Sequence, residues 1–117
     1  YQVSNNSMYA DSGRGYTVAG KIKPDYAAPA VSVYGPGLRQ NYVTYTGTSA
    51  AAAVTAGAVA QIMQWALVQQ NDPVMSNAAI KNMLIRGAKR SEDRGYPNRE
   101  WGYGALDVYQ AFEYLRL

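Results

Sequence analysis

From Gly47 to Leu67 the chain runs 21 residues without a formal charge, and most of them are glycine, alanine, serine or threonine. Alanine has the highest helix propensity, so the run predicts one helix from about Thr48 to Gln70. A helix that is apolar all round but small in volume reads as a buried central helix, which neighbours can approach closely on every side. Its length also matches a bilayer span. Thr48, Ser49, Thr55, Gln61 and Gln64 interrupt it and no basic residues flank it, so membrane insertion is the weaker reading.

The entry to this helix is Gly47-Thr48-Ser49. A helix N-terminus carries free N–H groups and roughly half a positive charge. A serine in its first turn therefore sits where negative charge can be stabilised, and the preceding glycine permits a tight turn and a close substrate approach. The triplet alone reads first as helix capping, because threonine and serine are good caps. A serine nucleophile also needs a base. The chain contains no histidine and no cysteine. That excludes disulfides, thiolate metal sites and a cysteine nucleophile, and it removes the commonest general base. The carboxylates are few and scattered, so neither a metal nor a cofactor is expected.

One hundred and seventeen residues suit a single domain, and 48% hydrophobic with 16% charged residues suits a globular one. Eleven tyrosines against one phenylalanine suggest many half-buried surfaces with a wet edge. The net charge is +3, but Arg86, Lys89, Arg90, Arg94 and Arg99 are interrupted by Glu92, Asp93 and Glu100. Nucleic-acid binding would want a stripe of one sign. The chain starts at Tyr1 with no leader-like segment, and is expected to be a piece of a longer product.

Residues 1–20 read as loop. Two prolines between Lys23 and Pro29 exclude a helix or a central strand there. Val31–Tyr34, ended by Gly35-Pro36-Gly37, and Tyr42–Tyr45 are β-prone runs. Asn71-Asp72-Pro73 breaks the long helix. A second helix is predicted from Asn77 to Gly87, capped by Ser76, with Ala79, Ile80, Met83 and Leu84 on its apolar face. Glycine is expected to stop it. Residues 88–101 read as a charged loop and Gly102-Tyr103-Gly104 as a turn. Asp107 opens a last helix with Val108, Ala111, Phe112 and Leu115 on one side.

Three ordered motifs carry a resemblance. They are Lys23-Pro-Asp-Tyr-Ala-Ala-Pro29, then Gly47-Thr-Ser-Ala-Ala-Ala-Ala-Val-Thr-Ala-Gly57, then Trp101-Gly-Tyr-Gly-Ala-Leu-Asp-Val-Tyr-Gln-Ala111. In this order and spacing they resemble the C-terminal part of subtilisin-like serine proteases, the subtilase or peptidase S8 family. Ser12-Gly13-Arg14-Gly15 resembles a loosened form of the family's Ser-Xaa-Gly-Pro. Where family members often have Pro then His in the nucleophile helix, this chain has Ala53 and Val54, a form similar to clostridial members.

The resemblance implies an α/β fold, with residues 1–117 as the C-terminal portion of a parallel-sheet catalytic domain around a central buried helix. It implies Ser49 as the acyl-forming nucleophile and its N–H as an oxyanion donor. Gly47 and Thr48 would shape the turn, and Tyr45 would lie toward the leaving-group side. Lys23, Pro24, Asp25 and Pro29 would be scaffold. The family order Asp, His, Ser puts the other two triad members before Tyr1. The implied partners are the N-terminal remainder of the protease and a polypeptide substrate, with no nucleic acid and no membrane. The implied setting is extracytoplasmic or spore-associated. The isolated chain is expected to be inactive and to self-associate. A non-catalytic, partner-binding subtilase-like module is the alternative.

Overall fold

A computed structural model describes residues 1–115. The two β-prone runs pair as one antiparallel hairpin, β1 (Val33–Pro36) and β2 (Tyr42–Tyr45), in the register Val33 opposite Tyr45 and Pro36 opposite Tyr42. β1 starts two residues later than the run that predicts it, and Gly35 and Pro36 lie within the strand rather than ending it. Pro36 is tolerated because it is the terminal residue of a strand with only one neighbour. Gly35 leaves its face open, so that a Cβ there would sit 3.5 Å from the Tyr45 ring. The loop closes with Gly37 N–H donating to Asn41 O at 2.7 Å. Arg39 and Gln40 turn it in the left-handed region. Tyr34 and Tyr42 stack across the strands with ring centroids 5.4 Å apart.

Two residues after β2, helix α1 (Thr48–Met63) begins, and it continues into a π-helical segment, Gln64–Val68. The helical run therefore stops slightly before Gln70, which adopts φ 59°. The Asn71 side-chain amide donates to Trp65 O at 2.9 Å, satisfying a carbonyl of the wide final turn. Ala58, Ile62 and Ala66 recur at four-residue spacing and are buried. Ile62 packs with Ile80, Met83, Leu84 and Ala111 in the main core. Elsewhere the helix is open: Ala52, Ala53, Ala56, Gly57 and Ala60 are exposed in this chain. Thr48–Val68 is long and apolar enough to cross a membrane by length and composition.

Helix α2 (Asn77–Arg86) forms as its sequence predicts, with the Ser76 hydroxyl accepting from Ala79 N–H at 3.2 Å. Gly87 ends it, as expected, but not through a left-handed turn. Its φ is −83°, a value open to any residue. A Cβ on Gly87 would instead lie 2.4 Å from Ala111 Cα, so glycine is needed for the close approach of helix α3 (Val108–Leu115). Asp107 opens α3 by accepting from Gln110 N–H at 2.9 Å. Ala111 is fully buried and Phe112 half-buried beneath the edge of Trp65, whereas Leu115, at the end of the same side, is 47% exposed.

The Lys23–Ala30 segment ties these parts together without forming a regular strand. Ala27 N–H donates to Gly104 O at 2.9 Å, Leu106 N–H to Ala27 O at 2.7 Å, and Tyr103 N–H to Asp25 O at 2.8 Å. The Ala27–Ala105 bridge is parallel. Gly102-Tyr103-Gly104 forms the turn the sequence predicts, with Gly102 and Gly104 at φ of 57° and 133°. Trp101 is buried beside Ala27 and Ala105, with the Tyr1 ring 5.0 Å away and the Arg94 guanidinium over its face.

Candidate active site

The backbone relay just described ends at the Gly47-Thr48-Ser49 turn. Gly47 N–H donates to the carbonyl of buried Ala30 at 2.7 Å. Gly47 is the N-cap of α1 at φ 148° and ψ 166° and offers no side-chain cap. Its carbonyl accepts from Ala50 N–H at 3.1 Å and Ala51 N–H at 3.4 Å. Among the described residues, the N–H groups of Thr48 and Ser49 meet no acceptor. The capping reading of the two hydroxyls is not realised, because neither bonds an N–H of the first turn.

Ser49 is exposed and lines a cavity of about 490 Å³ between the hairpin and α1. Val33, Pro36, Tyr45, Ala50, Ala53 and Val54 are among its walls, so it is largely apolar. The structure thus brings Ser49 and Tyr45 to one cavity. Thr48 faces a different one, of about 190 Å³, beside Tyr1, Met8 and Ala30. Gly47 lines neither and acts through its backbone. Tyr45 holds its hydroxyl against β1, donating to Pro36 O at 2.7 Å, and leaves its ring 47% exposed. The arrangement offers a hydroxyl, two free N–H donors and an apolar recess at the positive end of a helix.

Two supporting features are absent from any reading of the sequence. The Thr46 hydroxyl accepts from Ser32 N–H at 2.9 Å, and Ser32 is held at φ 53°. Asp25, expected from sequence only as scaffold, receives Lys23 Nζ at 2.6 Å and Lys81 Nζ at 3.3 Å, which fastens α2 to the segment that leads to the Gly47 turn. No local pattern marks Lys81 for this role, since it lies on a helix far along the chain.

Partial burial by itself would raise the Asp25 pKa, but the hydrogen bonds and charges of Lys23 and Lys81 together outweigh it and hold the carboxyl below its ordinary value. The folded value is thus lower than the unfolded one, so the stabilisation is complete above about pH 3.9 and is lost as pH falls through the folded value. Asp25→Asn is expected to lower the urea midpoint of the full-length protein at pH 7, and the deficit should shrink toward pH 3. A deficit of equal size at both pH values would show that the ion pairs contribute nothing.

The model of the subtilase family matches residues 1–104. This chain belongs to the subtilase family. It is 33% identical over 96 residues to the membrane-bound transcription factor site-1 protease of Mus musculus, covering 82% of this chain and 9% of that protein. It is 28% identical over 98 residues to the subtilisin-like protease SBT6.1 of Arabidopsis thaliana, covering 83% of this chain and 9% of that one. The solved structure of the Clostridium perfringens CspB protease superposes with a TM-score of 0.93 at 36% identity, covering 99% of this chain and 25% of that chain. The α/β subtilisin-like fold implied by the three motifs is therefore the fold of this subtilase chain. The match to CspB agrees with the clostridial character of its alanine-rich helix. The chain spans about a tenth of the length of the curated relatives it matches. Within the described residues this subtilase chain has no cluster of three acidic residues that could hold a metal ion.

Proposed function

We propose that this chain is the nucleophile-bearing, C-terminal segment of a serine endopeptidase catalytic domain. The observation that carries the reading is Ser49: a serine with an unengaged hydroxyl, at the uncapped start of α1, opening on an apolar cavity, in a subtilase chain. The relatives named above are proteases, which supports a polypeptide substrate.

In this reading Ser49 Oγ attacks the peptide carbonyl and forms the acyl-enzyme. Its proton passes to a histidine supplied by the N-terminal remainder of the protease, since this chain has none. The oxyanion that develops is met by the Ser49 N–H and by the field of α1. Gly47 shapes the turn at φ 148°, a conformation L side chains rarely adopt. Tyr45, on the cavity wall, contacts the leaving-group side of the substrate. The isolated chain, lacking the base, is catalytically silent. It self-associates through surfaces the remainder would cover, including the open alanine face of α1.

A fluorophosphonate probe should label the full-length protein, and peptide mapping should place the adduct on Ser49. A full-length protein that resists the probe would sink the enzyme reading and leave a partner-binding, non-catalytic module.

A further inference from the structure

We infer that Thr46 is a positioning residue for Ser49, acting through its hydroxyl on the left-handed turn at Ser32; this rests on the nucleophile role proposed above. Three consecutive residues tie the entry of α1 to the Ala30–Val33 segment. Tyr45 pairs with Val33 at the end of the hairpin. Thr46 Oγ1 accepts from Ser32 N–H at 2.9 Å. Gly47 N–H donates to Ala30 O at 2.7 Å. The first and third ties are made by the backbone, and only the middle one depends on a side chain.

That middle tie is made at an unusual place. Ser32 has φ 53°, a region a residue with a Cβ occupies only when its surroundings hold it there. The left-handed turn aims the Ser32 N–H out of the chain direction and onto the Thr46 hydroxyl. Three residues beyond Thr46, Ser49 faces the cavity whose wall includes both Val33 and Thr46 itself. The Thr46 bond therefore sets the separation between that wall and the nucleophile. Ala30 is buried and anchors the whole clamp to the core, whereas Ser32 and Thr46 are exposed. Water can replace the lost acceptor in a variant, so the fold survives its removal while the geometry relaxes.

Misplacing a reacting group by a fraction of an ångström costs rate much more than it costs binding. The test uses the full-length protein and a fluorophosphonate probe, with Thr46→Val as the isosteric variant lacking the acceptor and Thr46→Ser as the rescue. Thr46→Val is expected to lower the maximal labelling rate about tenfold while changing the half-saturating probe concentration less than about twofold. Thr46→Ser should restore the rate. Hydrogen exchange at the Ser32 amide should quicken in Thr46→Val and not in Thr46→Ser. Labelling of Thr46→Val at the native rate overturns the proposal, as does a Thr46→Ser variant as slow as Thr46→Val. Should Thr46→Val not fold, Thr46→Ala carries the same comparison, and failure of both to fold overturns a positioning role in favour of a purely structural one. If the native protein takes no label at Ser49, the nucleophile reading fails and this proposal with it. If it does label, a native rate in Thr46→Val removes this proposal alone.

Discussion

Ser49→Ala in the full-length protein is expected to reduce peptide hydrolysis by about 10⁶-fold in kcat, the magnitude established for loss of the nucleophile in subtilisin itself. The size follows from what is removed. Of the other hydroxyls near this cavity, that of Thr46 is engaged by Ser32 N–H and that of Tyr45 by Pro36 O, and Thr48 faces another cavity. The α1 field and the remaining donors stay in place, so a residual rate above that of water should persist. Stability should barely change, within about 0.5 kcal/mol, because the Ser49 side chain is exposed and holds nothing together. The measurement is kcat on a peptide substrate alongside a denaturant midpoint. Activity retained by a folded Ser49→Ala protein would remove Ser49 from the chemistry.

Gly102→Ala is expected to damage the fold severely, costing about 4 kcal/mol or more. Two effects act together there. The φ of 57° penalises any L residue with a side chain by about 1 kcal/mol. The added Cβ would also fall 2.1 Å from Pro24 O and 2.5 Å from Asp25 O, both backbone atoms that cannot swing away. Relief requires the 102–106 segment to part from Asp25 and Ala27, breaking the bonds from Tyr103 N–H and Leu106 N–H. That separation loosens the relay that ends at Gly47. Gly102→Ala should therefore lower both the denaturant midpoint and the fluorophosphonate labelling rate. An unchanged midpoint would mean that the segment can shift without loss, and that the relay does not hold the turn.

Legibility from sequence differed from element to element for physical reasons. The caps at Ser76 and Asp107 and the helices they open were readable, because a cap is a contact between residues three positions apart. The turn into α1 was readable because glycine, threonine, serine and the alanine run are contiguous. Gly87 was read as a helix stop with the wrong mechanism: the constraint comes from Ala111 on another helix, and no local pattern reports an approach of that kind. The exposure of Leu115 was not readable, because helical periodicity gives a face but not how far the neighbouring helix reaches. The cavity beside Ser49 needs the hairpin folded back over α1, and Lys81 joins Asp25 only once α2 has docked.

By itself the sequence determined that an alanine-rich helix would begin at a Gly-Thr-Ser turn, and that a histidine base for Ser49 would have to come from outside a chain without histidine. Both are statements about residue identity and local spacing. The tertiary structure decided which way the turn points, what clamps it and what lies in front of it. Those depend on hydrogen bonds from Gly47 to Ala30, Ser32 to Thr46 and Leu106 to Ala27, made between segments that only folding brings together.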